Sequence, residues 1–175
     1  MLMLSGIDPG WKNLGFARIW VEGAGTPEET VKLLDSSVLD PSQLGVVGTI
    51  EEMRTRQVFG SQYLSMERYV PYSGQQNPDS ERILMVTGAC FLAMGSDDRV
   101  LLRRAIDWKV ALCKHLVKTR GFRNPSPISK LDKTFSLAAA RCLFEQDFPT
   151  DHEADAACIA YLPLTQGALS KIGTQ

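Results

Sequence analysis

Three acidic residues occupy positions where a carboxylate is costly. Asp8 ends the apolar run over residues 2–7, Glu67 follows Tyr63-Leu64-Ser65-Met66, and Asp155 lies inside the mostly apolar segment Asp151–Ala160. Removing one carboxylate from water is expensive, and gathering several beside a core requires a cation or a shared proton. Hard oxygen donors with few soft partners select Mg2+ or Mn2+. His152 precedes Asp155 by three positions, so on a helix both can reach one ion pair. Each residue taken alone has a plainer role. An Asp before Pro-Gly forms turns, a strand-ending Glu is solvated, Asp151 suits a helix N-terminus, and His152 is an ordinary first-turn residue. Thr150 and Glu153 have the spacing of a capping box, which makes Glu153 structural.

Those side chains need rigid elements beneath them. Residues 2–7 have the pattern of a buried strand, stopped by the turn residues Asp8-Pro9-Gly10. Residues 15–21 return as a hairpin partner, and 31–39 form a third strand. Pro41 opens a helix with Leu44, Val47, Ile50 and Met53 at helical spacing, weakened by Gly45 and Gly48. A fourth strand covers 61–67 and a loop 71–79, and a helix carrying Ile83, Thr87, Cys90, Phe91 and Met94 stops at Gly95. Residues 99–104 read as a fifth strand. Asp107 then caps a helix with Trp108, Ala111, Leu112, His115 and Leu116 on one stripe. A loop over 121–132 leads to a helix with Phe135, Ala138, Ala139, Cys142 and Leu143, and a last helix over 151–162 is closed by Pro163. This order predicts an α/β fold, a mixed sheet with helices packed on it, as one domain over residues 1–163 with a tail over 164–175. Residues 83–94 are apolar all round, which suits either a subunit interface or a fully buried core helix.

The chain has 175 residues, 44% of them hydrophobic, enough for a real core. Its net charge is −1, but residues 99–133 hold ten Lys or Arg and two Asp, leaving −9 elsewhere. A basic stripe beside acidic pockets suits a protein that holds phosphates and metal together, although a solvated helical face gives the same count. The four cysteines (Cys90, Cys113, Cys142, Cys158) are widely spaced and lie in apolar stretches, as reduced thiols do. The apolar start is too short for a signal-peptide core, and no run approaches membrane-spanning length. We therefore expect a cytoplasmic protein that is neither secreted nor membrane-bound. Without GxGxxG or GxxxxGK[ST], a nucleotide cofactor is not expected.

The ordered motifs carry a family likeness. Gly6-Ile7-Asp8-Pro9-Gly10 followed by Gly15-Phe16-Ala17 resembles the opening of RuvC-type Holliday junction resolvases. Ser65-Met66-Glu67-Arg68 resembles their second acidic motif, Asn77-Pro78-Asp79-Ser80 the segment after it, and Lys133 with the segment from His152 to Ala160 the closing motif. The likeness spans nearly the whole chain and is closer to phage and organellar members than to the usual bacterial enzyme. It implies an RNase H-like fold with a five-stranded mixed sheet, a homodimer in a bacterial or phage-encoded system, and paired symmetric nicking of four-way DNA junctions. It also implies two Mg2+ per active site, with Mn2+ able to substitute. Carried over by position, Asp8, Glu67, His152 and Asp155 are the catalytic metal-binding set. His152 stands where Asp is commoner, which makes its neighbour Asp151 an alternative fourth ligand. On this basis we expect Asp8 to bridge the ions, Glu67 and Asp155 to hold one each, and His152 to ligate or to orient the attacking water. Lys109, Lys114, Lys118, Lys130 and Lys133 are expected on DNA phosphates, and Tyr69 and Tyr72 on bases opened at the crossover.

Other classes fit less well. Another nuclease of the same fold would act on forks, flaps or RNA–DNA hybrids. A sugar-kinase or actin-type ATP binder also opens with Asp-x-Gly but needs a second phosphate loop and a longer chain. A non-catalytic DNA scaffold has no reason to keep three such carboxylates.

Overall fold

The computed structural model describes residues 1–26, 28–70, 78–125, 127 and 131–165. Five strands form one sheet in the order β3-β2-β1-β4-β5. They are β1 (Leu2–Asp8), β2 (Leu14–Glu22), β3 (Thr30–Leu39), β4 (Tyr63–Glu67) and β5 (Val100–Arg103). The first three make an antiparallel meander, while β4 and β5 join parallel to β1. The α-helices among the described residues are α1 (Pro41–Thr55), α2 (Pro78–Met94), α3 (Ala105–Arg120), α4 (Lys133–Phe144), α5 (Asp151–Ala160) and α6 (Leu162–Thr165). This is the expected mixed sheet flanked by helices.

The sheet divides two cores, because side chains alternate across it. Ile7, Leu14, Phe16, Leu64 and Met66 face α1 and α2, meeting Ile50, Met53, Val86, Cys90 and Met94. Leu4, Ala17, Ile19 and Val21 face the other way, toward Trp108, Leu112 and Leu116 of α3, Phe135 and Leu143 of α4, and the Ala-rich α5.

The structure departs from expectation where local backbone chemistry overrides periodicity. Gly45 in α1 has φ 69°, a kink that takes the preceding turn out of register. Leu44, before the kink, is exposed, and so is Val47 after it, while Ile50 and Met53 are buried. Pro78 and Asp79, expected in loop, lie in the first turn of α2, where proline has no helical hydrogen bond to lose. Arg104 rather than Asp107 is the N-cap of α3, and Asp107 pairs with it at 2.7 Å. Pro163 does not close α5, which ends at Ala160; it sits in the first turn of α6. Outward-facing Leu84, Met85 and Leu92 on α2 exclude the fully buried helix. No described helix is long and apolar enough to cross a membrane. Cys90, Cys113, Cys142 and Cys158 are all free thiols, and Cys142 is only half-buried.

Candidate active site

Ile7 pairs with Met66 across the parallel strands β1 and β4, so Asp8 and Glu67 leave the sheet side by side at the strands' carboxyl ends. Sheets of this kind place ligands at such ends. Alternation sends both side chains to the face covered by α5, since Ile7 and Met66 point into the opposite core.

Two glycines let α5 lie directly on that face. A methyl built on Gly6 would overlap the Ala156 carbonyl and the Ala160 nitrogen, and one on Gly15 would overlap the His152 carbonyl. Gly15 is also the β2 partner of Asp8, so the same close approach sets the start of α5 beside Asp8. Thr150 caps α5: its hydroxyl accepts from the Glu153 N–H at 3.2 Å and donates to Glu153 Oε2 at 3.0 Å. Ser36 donates to Glu153 Oε1 at 3.1 Å, which ties the helix to β3 and fits the structural role expected of Glu153.

Each acid at this end of the sheet has its own protein partner. His152 Nδ1 is 2.8 Å from Asp8 Oδ2. Trp108 Nε1 donates to Glu67 Oε2 at 2.8 Å. Lys109 Nζ lies 3.7 Å from Asp155 Oδ1, and Lys133 Nζ lies 2.5 Å from Asp151 Oδ2. Burial pushes the Glu67 carboxyl up to about 7; the charges of Asp8 and Asp155 add to this, and the Trp108 N–H opposes it. Burial likewise pushes Asp155 up to about 6, with Asp8 adding and Lys109 opposing. The hydrogen bond to Asp8 holds His152 above its ordinary value, against its burial. Asp151 is lowered, chiefly by its hydrogen bond from Lys133.

Among the described residues, no three His, Cys, Asp or Glu side chains close on one point as a ready-made metal cage. The partners account for this, because each carboxylate is turned toward a donor or cation of the protein. The donor set nonetheless suits a hard divalent ion. Asp155 Oδ1 is buried and has no hydrogen-bond partner among the described residues. Burial is the main cause of the upward shifts of Glu67 and Asp155, Lys109 offsets them only in part, and a divalent cation would favour both carboxylates in their charged form.

Asp8, Glu67, His152 and Asp155 thus come together from β1, β4 and α5. Asp151, one residue from His152, is turned to Lys133 instead. Lys109 was expected on an open basic stripe, but its side chain is only 12% exposed and is directed at Asp155. Lys114 and Lys118 are exposed along α3, and Lys133 is exposed at the start of α4. Half-buried Tyr69 bonds Ser80 Oγ through its hydroxyl at 2.8 Å. Tyr72 and Lys130 lie outside the described residues. Reading the sequence missed the Trp108 contact, since periodicity assigned that residue to the core stripe. The available signal was chemical: a buried indole needs an acceptor for its N–H.

No protein-family model matches the chain, and no curated protein matches it. Among solved structures it is similar to RuvC from Thermus thermophilus, at 23% identity and a TM-score of 0.65, over 99% of this chain and 98% of that one. It is similar also to T. thermophilus RuvC in complex with a Holliday junction substrate, at 22% identity and a TM-score of 0.65, over 99% and 98% of the two chains. The fold is the RNase H-like one that the motif likeness implied.

Proposed function

We propose that the chain is a Holliday junction resolvase, an endonuclease that nicks four-way DNA junctions in symmetric pairs. The observation that carries this reading is the meeting of Asp8, Glu67, Asp155 and His152 at one end of the sheet, in a fold shared with a protein solved with such a junction. Asp8, Glu67 and Asp155 would hold two divalent ions, Mg2+ or in its place Mn2+, with His152 as the fourth ligand. Bound there, the ions supply Lewis-acid stabilisation of the phosphate and a more acidic water. The chain's own residues do the rest. His152, whose Nδ1 lies 2.8 Å from Asp8 Oδ2, would hold an ion or accept a proton from the attacking water. Lys109, 3.7 Å from Asp155 Oδ1, would offset part of that carboxylate's charge and stand close to a phosphate held at the site.

Exposed Lys114, Lys118 and Lys133, together with Lys130, suit phosphate contacts on the arms, which position DNA without reading it. Tyr69 and Tyr72 follow Glu67 closely and suit stacking on bases opened at the crossover. Two symmetric cuts call for two active sites, and a two-fold dimer provides them. The outer face of α2 fits that interface: Met85 and Leu92 are 61% and 85% exposed on one side of the helix, with Gly88 open to solvent between them.

The test is cleavage of a mobile four-way junction, a fork, a flap and an RNA–DNA hybrid by the purified protein, with and without Mg2+. Paired nicks at symmetry-related positions of the junction, only with the ion, are the expected result. Cleavage confined to forks, flaps or hybrids would replace this substrate with another on the same fold.

A further inference from the structure

We propose that Trp108 is a positioning residue for Glu67, fixing that carboxylate through the indole N–H so that its second oxygen is presented to divalent ions. The inference rests on the reading of Glu67 as a metal ligand. It concerns a residue that carries no charge and was assigned only to the core.

Trp108 is fully buried in the first turns of α3, in the core between the sheet and the helices on the α5 side. Its ring cannot change rotamer without displacing that core, so the direction of the N–H is fixed by packing. The N–H meets Glu67 Oε2 at 2.8 Å, within the range of a good hydrogen bond. Glu67 ends β4 and would otherwise be free to rotate about three side-chain bonds. With one acceptor site of Oε2 taken by the indole, Oε1 is the less occupied oxygen and the one turned free for a cation.

The chemistry of the donor distinguishes Trp108 from the other partners at the site. Indole donates one hydrogen bond and has no charge. It therefore orients Glu67 without neutralising it, and it need not leave when a cation arrives. Lys109, the next residue, pairs with Asp155 by charge and competes with a cation there. Lys133 stands toward Asp151 in the same way. Outer partners that orient ligands of this kind typically change metal affinity by about 10–100-fold when removed.

The test uses the full chain with Trp108→Phe, which keeps an aromatic ring and deletes the N–H, beside Leu112→Ala, a buried change elsewhere on α3. Mn2+ binding is measured by calorimetry without DNA, thermal stability by melting, and junction cleavage as a function of Mg2+ concentration. We expect Trp108→Phe to weaken Mn2+ binding by about tenfold or more and to raise the Mg2+ needed for half-maximal cleavage to match. Leu112→Ala should lower the melting temperature and leave both metal midpoints in place. Equal Mn2+ affinity in Trp108→Phe and wild type overturns the proposal and leaves the nuclease reading standing. A wild-type chain that binds no Mn2+ overturns both. Should Trp108→Phe fail to fold, variants that keep Trp108 still decide. Of its three tryptophans, the indole N–H signal left after Trp11→Phe and Trp20→Phe belongs to Trp108. In nuclear magnetic resonance that signal must shift in Glu67→Ala, and an unmoved signal overturns the proposal.

Discussion

Glu67 and Asp155 are held in positions that the cation-free protein resists. Both carboxyls lie above their ordinary values of 4.5 and 3.8, at about 7 and about 6. The folded chain therefore keeps protons that the unfolded chain has released, and the sites cost stability progressively as pH rises from about 4 to about 7. His152, also raised, acts in the same direction. In urea denaturation without divalent ions, Glu67→Gln should be more stable than wild type at pH 8, by on the order of 3 kcal/mol. The gap should close near pH 4.5 and narrow when Mg2+ is added. An equal gap at both pH values would mean that Glu67 does not titrate as its burial requires. At Asp8 the expected outcome is different in kind: Asp8→Asn should abolish junction cleavage while leaving junction binding intact in a gel-shift assay. Normal cleavage by that variant would remove Asp8 from the site. Asp8, Glu67 and Asp155 stand out in the sequence because a carboxylate in or beside an apolar run is expensive to bury. The partners of these acids do not, since a sequence gives no direction for the Trp108 N–H or the Lys109 ammonium.

The elements that make the site depend on how closely α5 lies on the sheet. Gly6 and Gly15 permit the approach, and no other residue type fits there without moving α5 backbone. Gly6→Ala should cost at least about 3 kcal/mol in thermal or urea unfolding, the upper range for overpacking, because backbone rather than a flexible side chain must give way. Gly15→Ala meets the His152 carbonyl, so cleavage should fall more than stability does. Full cleavage with an unchanged melting temperature in both variants would show that α5 is not held where it lies. All five strands could be read from apolar runs and flanking breakers, such as Asp8-Pro9-Gly10 after β1 and Gly60 before β4. The helices were harder at their ends. The Gly45 kink, the Arg104 cap and Pro163 inside α6 are decided by backbone angles that a hydrophobic stripe does not report. The glycines were visible in the opening motif, but their contact with α5 is a tertiary fact.

On the scale of the whole molecule, charge and apolar surface are distributed unevenly. The basic segment 99–133 carries its exposed lysines along α3 and at the start of α4, while Met85 and Leu92 project from α2 on the opposite face of the sheet. If α2 joins two copies, Met85→Glu with Leu92→Glu should yield a monomer in sedimentation that still melts cooperatively, since neither side chain is in a core. A dimer that survives both changes would move the interface elsewhere. The account as a whole turns on whether the acids of β1, β4 and α5 close on divalent ions. Anomalous diffraction from crystals grown with Mn2+ tests this most directly. Two peaks about 4 Å apart, held among Asp8, Glu67 and Asp155, are the predicted result. Well-ordered carboxylates still facing His152, Trp108 and Lys109, with no manganese between them at millimolar concentration, would contradict it.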